Sequence, residues 1–179
     1  RCDRWYTEVG LLMLADRAPY GSVLEIGCGL GYVAAKLSKL VASKEGVLEA
    51  FDVSHEAIRK ARTLHPDIEF YVDNIADKSF RCKRQYDLVV VKDVFWYVFE
   101  QMERVVAHIS TCVKSGGLLY IGQCFPALDS PFVGKHVIDS PQALIGHFSG
   151  FEPLFTALLR NYPLVKDGPI LHFVGFKKP

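Results

Sequence analysis

The sequence predicts an α/β protein in which a doubly wound, mostly parallel sheet of seven strands carries an antiparallel C-terminal hairpin strand. Apolar strand-like runs alternate with helix-like segments, which is typical of a parallel sheet covered by helices on both faces. A glycine-rich loop follows the first run, and the last two runs form a terminal hairpin. With 179 residues, half of them hydrophobic, we expect a single domain over residues 1–179.

In the first half of the chain, each expected strand is a short apolar run bounded by glycine or polar residues. Ser54 is placed to cap the helix that runs to about Leu64, because serine is favoured at the N-cap. Strands are expected at Ser22–Ile26, Val47–Asp52, residues 68–72 and Tyr86–Lys92, and the other helices at residues 3–15 and 32–41.

In the second half, Gly116 and Gly117 turn the chain into a fifth strand at residues 118–123. A helix over residues 99–113 precedes this turn, and another over residues 142–148 follows a proline-containing stretch. The last two strands are expected at residues 151–161 and Ile170–Lys177, joined by residues 163–169.

The most informative segment is the E-x-G-x-G-x-G loop at residues 25–31, directly after the first strand. Glycines at such a turn let the backbone bend sharply and lie close to a ligand. A dinucleotide fingerprint would need its last glycine at Tyr32, whereas this chain has it at Gly31. The loop therefore predicts a nucleoside cofactor and disfavours a dinucleotide-dependent reductase.

Charge and cysteine content narrow the class of protein. A net charge of +1 gives no electrostatic case for a nucleic-acid or membrane partner, since either would favour a basic face, and no apolar run approaches the length of a membrane span. The five cysteines are odd in number and lack C-x-x-C spacing, so we expect free thiols in a reducing cytoplasm.

Four motifs together resemble the class I S-adenosylmethionine-dependent methyltransferases over essentially the whole chain. They are the glycine loop, AFDVS at residues 50–54, FYVDNI at 70–75, and YDLVVVKDVFWY at 86–97 with the later Ser-Gly-Gly turn. The DRWY segment at residues 3–6 and VFWY at 94–97 look most like the small-molecule branch that includes the nodulation N-methyltransferases. The resemblance implies a Rossmann-like fold, S-adenosylmethionine as cofactor with S-adenosylhomocysteine as product, and a small-molecule methyl acceptor.

The first two motifs supply candidate contacts to the amino-acid and ribose parts of this cofactor. Glu25 is placed to reach the ammonium, or alternatively to accept loop N–H groups. Asp52 is placed to accept from both ribose hydroxyls, the alternative being a cap for the next helix. Room for the ligand is expected at the glycines of the loop. The residues expected to bind the cofactor in these motifs are Glu25, Gly27, Cys28, Gly29, Gly31, Asp52 and Val53.

The third motif supplies candidate contacts to adenine. A polar side chain here would meet the exocyclic amine while Ile75 packs on the ring. Asp73 and Asn74 are both candidates, since the usual acid of the family looks displaced by one position. An Asp-Asn pair that only forms a turn is the alternative.

The fourth motif brings Lys92 and Asp93 to the edge of the sheet where the methyl is transferred, beside an aromatic segment that includes Trp96 and Tyr97. Aromatic faces suit a sulfonium cation, although such a cluster is also common in a core. We expect Lys92, Asp93 and Tyr97 to contact the cofactor.

A hydroxyl acceptor would need a catalytic base, and Asp93, His136 and His147 are candidates. For a free amine, positioning is sufficient. No histidine pair has metal-ligand spacing, so no metal is expected.

Absent motifs narrow the acceptor. The turn after the fourth strand lacks the Asp/Asn-Pro-Pro-aromatic pattern of nucleic-acid amino-methylating enzymes, and the chain has no Pro-Cys nucleophile. The insertion at residues 125–142 is the expected acceptor pocket, with Pro126, Phe132, Lys135 and His136 as lining candidates, unless it is a simple connector. We expect an enzyme that works as a monomer or homodimer. The alternative is a subunit that binds the cofactor without transferring methyl groups.

Overall fold

Seven strands form one sheet in the computed structural model, which describes residues 2–42, 45–126, 131–160 and 170–179, leaving out the side chains of residues 2–7 and 160. The strands are β1 (Ser22–Ile26), β2 (Val47–Asp52), β3 (Glu69–Val72), β4 (Tyr86–Lys92), β5 (Val113–Phe125), β6 (Glu152–Arg160) and β7 (Ile170–Lys177). Their order is β3-β2-β1-β4-β5-β7-β6. Only β7 runs antiparallel to its neighbours, β5 and β6. The predicted fold class is confirmed.

Helices cover both faces of the sheet. They are α1 (Cys2–Ala15), α2 (Tyr32–Leu37), α3 (His55–Leu64), α4 (Phe95–Val98), α5 (Met102–Cys112) and α6 (Pro141–Gly146). The largest apolar cluster joins α4, α5 and α6 to one face, and smaller clusters join α1, α2 and α3 to the other. Among the described residues, no helix is both long and apolar enough to cross a membrane.

Three predicted elements differ most in extent from the observed ones. The helix after the glycine loop ends at Leu37 and continues as a 3-10 turn, Ser38–Leu40. Helical structure after β4 begins at Phe95, because the chain turns at Asp93, and passes through a 3-10 turn before α5. Strand β5 is longer than predicted, since Val113 already pairs with Tyr86 ahead of the register shift. The hairpin connection at residues 163–169 lies outside the described residues.

The parallel strands bring the ends of β1, β2, β3 and β4 to one edge of the sheet. Their register is direct, with Ile26 opposite Phe51 and Val91, and Asp52 opposite Val72. The four predicted motifs each end at this edge, where ligands of open α/β sheets bind.

Candidate functional site

A cleft of about 400 Å³ opens at this edge, between the ends of β1 to β4 and helix α4. This volume lies in the range of small-molecule sites. The predicted residues that line it are Gly27, Asp52, Val53, Asp73, Asn74, Ile75, Lys92, Asp93 and Tyr97. The structure therefore brings residues of all four motifs together, whereas Glu25, Cys28, Gly29 and Gly31 lie outside this lining.

The three glycines of the loop have positive φ but different surroundings. A side chain at Gly27 would collide with Val94, and one at Gly31 would lie 2.6 Å from the Phe70 ring. At Gly29 nothing lies within 4 Å. A side chain is therefore excluded by packing at Gly27 and Gly31, whereas Gly29 borders open space. Gly27 also lines the cleft, and the expectation that these glycines make room for a ligand stays a prediction.

Asp52 holds the glycine loop in place. One carboxylate oxygen accepts from Gly29 N–H at 2.9 Å, and the other accepts from Ser54 N–H at 2.9 Å. Ser54, not Asp52, caps α3 by accepting from Ala57 N–H. Asp52 is thus fixed at the cleft with its carboxylate half-buried, and the alternative of a helix cap does not describe it.

Glu25 is a buried acid, only 2% exposed. Burial raises the pKa of its carboxyl to about 8, although Ala34 N–H donates to it and Lys92 lies near it. Its Oε2 is buried and has no hydrogen-bond partner among the described residues. The carboxyl thus accepts from a backbone N–H of α2 rather than of the glycine loop, and one oxygen remains for a donor. A buried polar atom without a partner is costly and points to a missing one.

Asp73 and Asn74 build the turn after β3. Asp73 Oδ1 accepts from Asn74 N–H at 2.8 Å, and Asn74 Oδ1 accepts from Ala76 N–H at 2.9 Å. The turn-forming alternative is therefore real, and both residues also line the cleft beside the buried Ile75.

Asp93 closes the cleft on the β4 side in an unusual backbone conformation, with φ 55. Aspartate is among the few residues that tolerate the left-handed region. Its carboxylate pairs with Lys92 Nζ at 2.8 Å and accepts from Cys124 N–H at 2.8 Å, while its own N–H donates to Gly122 O at 2.8 Å. Asp93 therefore ties the end of β4 to the end of β5.

The two aromatic residues that follow differ in role. Trp96 Nε1–H donates to Cys124 O at 2.8 Å, and its ring packs edge-on against Phe125 and Phe132 with centroids 5.4 Å away. Tyr97 is 84% exposed and lines the cleft. Trp96 is therefore a packing residue, whereas Tyr97 lies at the cleft.

The structure places neither candidate histidine in the cleft. His136 is exposed and its ring meets Phe99 edge-on at 5.7 Å. A ring nitrogen of His147 lies 3.2 Å from Val137 O. Of the predicted acceptor-loop residues, Phe132 packs on Trp96 and Lys135 Nζ lies over the Phe132 ring, and residues 127–130 lie outside the described part.

Sequence comparison identifies the family. The family described as a methyltransferase domain matches residues 23–117, more than half of the chain. The chain belongs to this methyltransferase family. Two malonyl-[acyl-carrier protein] O-methyltransferases are similar to the domain: that of Haemophilus influenzae is 30% identical over 112 residues, 60% of this chain, and that of Bacillus cereus is 27% identical over 97 residues, 54% of it. The aligned parts span 41% and 35% of those proteins.

Solved structures agree with the methyltransferase fold. The N-methyltransferase NodS of Bradyrhizobium japonicum superposes with a TM-score of 0.81 at 21% identity, over 99% of this chain and 96% of NodS. NodS in complex with S-adenosyl-L-homocysteine gives 0.80 at 20% identity, over 98% and 87% of the two chains. The prediction of a class I methyltransferase is confirmed, and the predicted likeness to nodulation-type N-methyltransferases holds for the fold.

The residues of this methyltransferase domain fit the cofactor of the class. Open space borders Gly29, and the buried Glu25 Oε2 lacks the donor that an ammonium would supply. Asp52 lies between that loop and the cleft.

Four residues that line the cleft are absent from the predicted cofactor-binding set, namely Ile26, Phe51, Val94 and Val98. Ile26 and Phe51 are the strand residues next to Gly27 and Asp52, so their positions at the strand ends could have predicted that they line the cleft. Val98 lies four residues after Val94, on the same face of α4.

Proposed function

We propose that this methyltransferase domain transfers a methyl group from S-adenosylmethionine to a nitrogen or oxygen atom of a small acceptor. The observation that carries the proposal is the convergence of Asp52, Asp73 to Ile75, and Lys92 with Asp93 on one cleft. When bound, the cofactor supplies a sulfonium-activated methyl group, so the protein needs chiefly to hold donor and acceptor in line.

Each cleft residue has a binding task in this proposal. Asp52 accepts from the ribose hydroxyls with the lone pairs that its contacts to Gly29 and Ser54 leave over. Asn74 binds the adenine edge, and Ile75 with Val98 packs on the ring. Glu25 Oε2 accepts from the ammonium, which restores a partner to a buried oxygen.

The contacts of Asp93 bear on the chemistry of the acceptor. Its carboxylate is engaged by Lys92 and by Cys124 N–H, and these contacts suit a positioning role better than proton removal. An acceptor that is already unprotonated, such as a free amine or a carboxylate, therefore fits best. Asp93→Asn keeps a residue that tolerates positive φ. We expect it to lower turnover less than tenfold, whereas loss of a general base costs about 10²- to 10⁴-fold.

The similarity to malonyl-[acyl-carrier protein] O-methyltransferases favours a second candidate acceptor. A malonyl thioester ends in a carboxylate, which is ionised at neutral pH and needs no base. Methylation of malonyl-pantetheine, tested beside a panel of primary amines, would distinguish the two acceptor classes.

Calorimetric titration with S-adenosylhomocysteine tests the cofactor part of the proposal. We expect Asp52→Asn to weaken binding by roughly 1 to 3 kcal/mol, about 5- to 150-fold, because hydrogen bonds to a charged group are lost. Asp77→Asn is the matched control, since Asp77 is exposed and bonds only within its own turn. Binding of NADH alone would overturn the proposal, and binding without methyl transfer to any acceptor would favour the non-catalytic subunit.

A further inference from the structure

Two buried polar side chains beyond the cleft have atoms without a partner. Gln123 and His172 are 0% and 1% exposed, and among the described residues neither Gln123 Oε1 nor His172 Nδ1 has a hydrogen-bond partner. They lie opposite each other on β5 and β7, so both side chains project from the same face of the sheet. Two unpartnered buried atoms side by side are uncommon and require an explanation.

The pair lies next to the proposed methyl-transfer site. Gln123 sits between Gly122 and Cys124, the two residues that Asp93 binds. Gln123 lies two residues from Ile121 and from Phe125, and His172 lies two residues from Val174. Residues two apart on a strand share a face, so the pair lies on the face of the largest apolar cluster. Ile26, Phe51 and Val98 of the cleft belong to that same cluster.

Aromatic rings separate the pair from solvent. The centroid of the Phe125 ring lies 6.2 Å from that of the His172 ring and 5.4 Å from that of the Trp96 ring. The Trp96 ring in turn packs against Phe132. Trp96 and Phe132 are only half-buried, so the outer two rings of this layer reach the surface.

The remaining contacts define which group the pair can bind. His172 Nε2 lies 2.8 Å from Thr156 Oγ1, and burial lowers the pKa of His172 to about 4, so the imidazole is neutral at pH 7. Gln123 Nε2–H reaches Cys124 O at 3.4 Å, a weak hydrogen bond. The oxygen of Gln123 accepts, and the free nitrogen of His172 donates or accepts according to the tautomer.

We propose that Gln123 and His172 bind the methyl acceptor through a neutral group that donates one hydrogen bond and takes part in a second, a hydroxyl or a primary amide. This inference rests on the proposed function. It makes the two residues determinants of acceptor specificity. The acceptor is then a molecule with such a group beside its reactive amine or carboxylate.

Thermal unfolding tests whether the two atoms lack partners. Gln123→Met and His172→Leu keep the approximate volume and remove the polar atoms, so each is expected to raise Tm by about 3 °C. Thr156 is exposed, so water replaces its contact in His172→Leu. A lower Tm in either variant would show that the side chains already bond to each other or to a trapped water, and would overturn the proposal.

Nitrogen-15 NMR of the His172 ring tests the bound group directly. The probes are 2-propanol and acetone, which match in size and differ in the O–H donor. We expect 2-propanol to shift the His172 Nδ1 resonance in a saturable way, acetone to cause less than a third of that shift, and Gln123→Met to abolish the response. Equal shifts from both probes, or no shift from either, would overturn the proposal.

Cofactor binding separates this inference from the proposed function. Both variants are expected to bind S-adenosylhomocysteine within twofold of the wild type, while the KM for the best acceptor of the panel rises at least tenfold with a smaller change in kcat. Unchanged KM values would overturn the inference alone. Absence of S-adenosylhomocysteine binding by the wild type would overturn the proposed function and leave the alcohol result standing.

Discussion

The two halves of the sheet differ in how their polar side chains are bonded at the ligand-binding edge. In the half formed by β1 to β4, Asp52, Asp73 and Asn74 are bonded to loop backbone, and the buried acid of β1 keeps one oxygen without a partner among the described residues. In the half formed by β5, β7 and β6, Gln123 and His172 both have atoms without a described partner under a layer of aromatic rings. Most of the first half is therefore arranged before a ligand arrives, whereas we propose that a ligand completes the pair in the second half.

Each half also contains a buried group whose pKa is shifted by burial, and the two groups, Glu25 and His172, shift in opposite senses. Burial raises the pKa of Glu25 to about 8 and lowers that of His172 to about 4. Both shifts have the same cause, because burial disfavours the charged form. The halves should therefore respond to pH in opposite directions.

Substitutions of the loop glycines should change the stability of the protein most, and they test how the first half of the sheet is arranged. Gly31→Ala should lower the free energy of unfolding by about 3 kcal/mol, because a side chain at positive φ meets the Phe70 ring. Gly29→Ala, with the same change and open space around it, should cost about 1 kcal/mol and weaken S-adenosylhomocysteine binding instead. Urea unfolding measures both, and equal losses would contradict the division of roles within the loop.

Acid unfolding tests the second half. The pKa of His172 is about 4 in the folded protein and 6.5 in the unfolded chain. The unfolded chain therefore binds the proton first, so the contribution of this group to stability is present above pH 6.5 and is lost as the pH falls towards 4. The loss reaches about 3 kcal/mol. His172→Leu should flatten this part of the stability profile, and a profile equal to that of the wild type would place the titration elsewhere.

Glu25 should give the opposite dependence. Its carboxyl is neutral in the folded protein up to a pKa of about 8, against 4.5 unfolded, so its contribution to stability is present below pH 4.5 and is lost as the pH rises through 8. Pairing with an ammonium requires the ionised form. The affinity for S-adenosylhomocysteine should thus rise about tenfold per pH unit between pH 5.5 and 7.5.

Glu25→Gln is the control for this dependence, since an amide of the same size does not titrate. The variant should bind S-adenosylhomocysteine with an affinity that changes little over the same pH range. A wild-type affinity that is flat over this range would instead mean that Glu25 is not the group that meets the ammonium.

Substitutions of two aromatic residues in α4 should change stability least, and they test the boundary between the two halves of the sheet. Trp96→Phe removes the hydrogen bond to Cys124 O and should cost about 1 kcal/mol of stability. Tyr97→Phe, in the next residue of α4, removes the hydroxyl of a side chain that is 84% exposed and should change stability by less than about 0.5 kcal/mol. Differential scanning calorimetry compares the two, and equal losses would contradict the assignment of Trp96 to packing.

The first half could be predicted from the sequence because its signals are local. The bounds of β1, β2 and β4 follow from apolar runs, and Asp52, Asp73 and Lys92 each lie where a strand ends. Parallel strands then bring those ends together without further information. Ser54 likewise caps α3 as its residue type predicts.

The rest depends on contacts between distant segments. That Gly31 makes room for Phe70 follows only from the packing of α2 and α3 on the sheet. The pairing of Gln123 with His172 depends on the register of β5 and β7, which the hydrophobic pattern does not give for strands buried on both faces. His136 was a reasonable candidate by residue type, but the turn that carries it directs its ring to Phe99.

The hydrogen bonds of Asp93 to β5 bear on how the substrates of such a domain can change in evolution. The proposed donor and acceptor sites are joined by a short stretch of main chain, with Asp93 bonded to the residues on either side of Gln123. On this assignment, substitutions at Gln123 can exchange one acceptor for another while the spacing between methyl donor and recipient stays the same. Selection can therefore change the preferred substrate while the alignment of methyl donor and acceptor is kept.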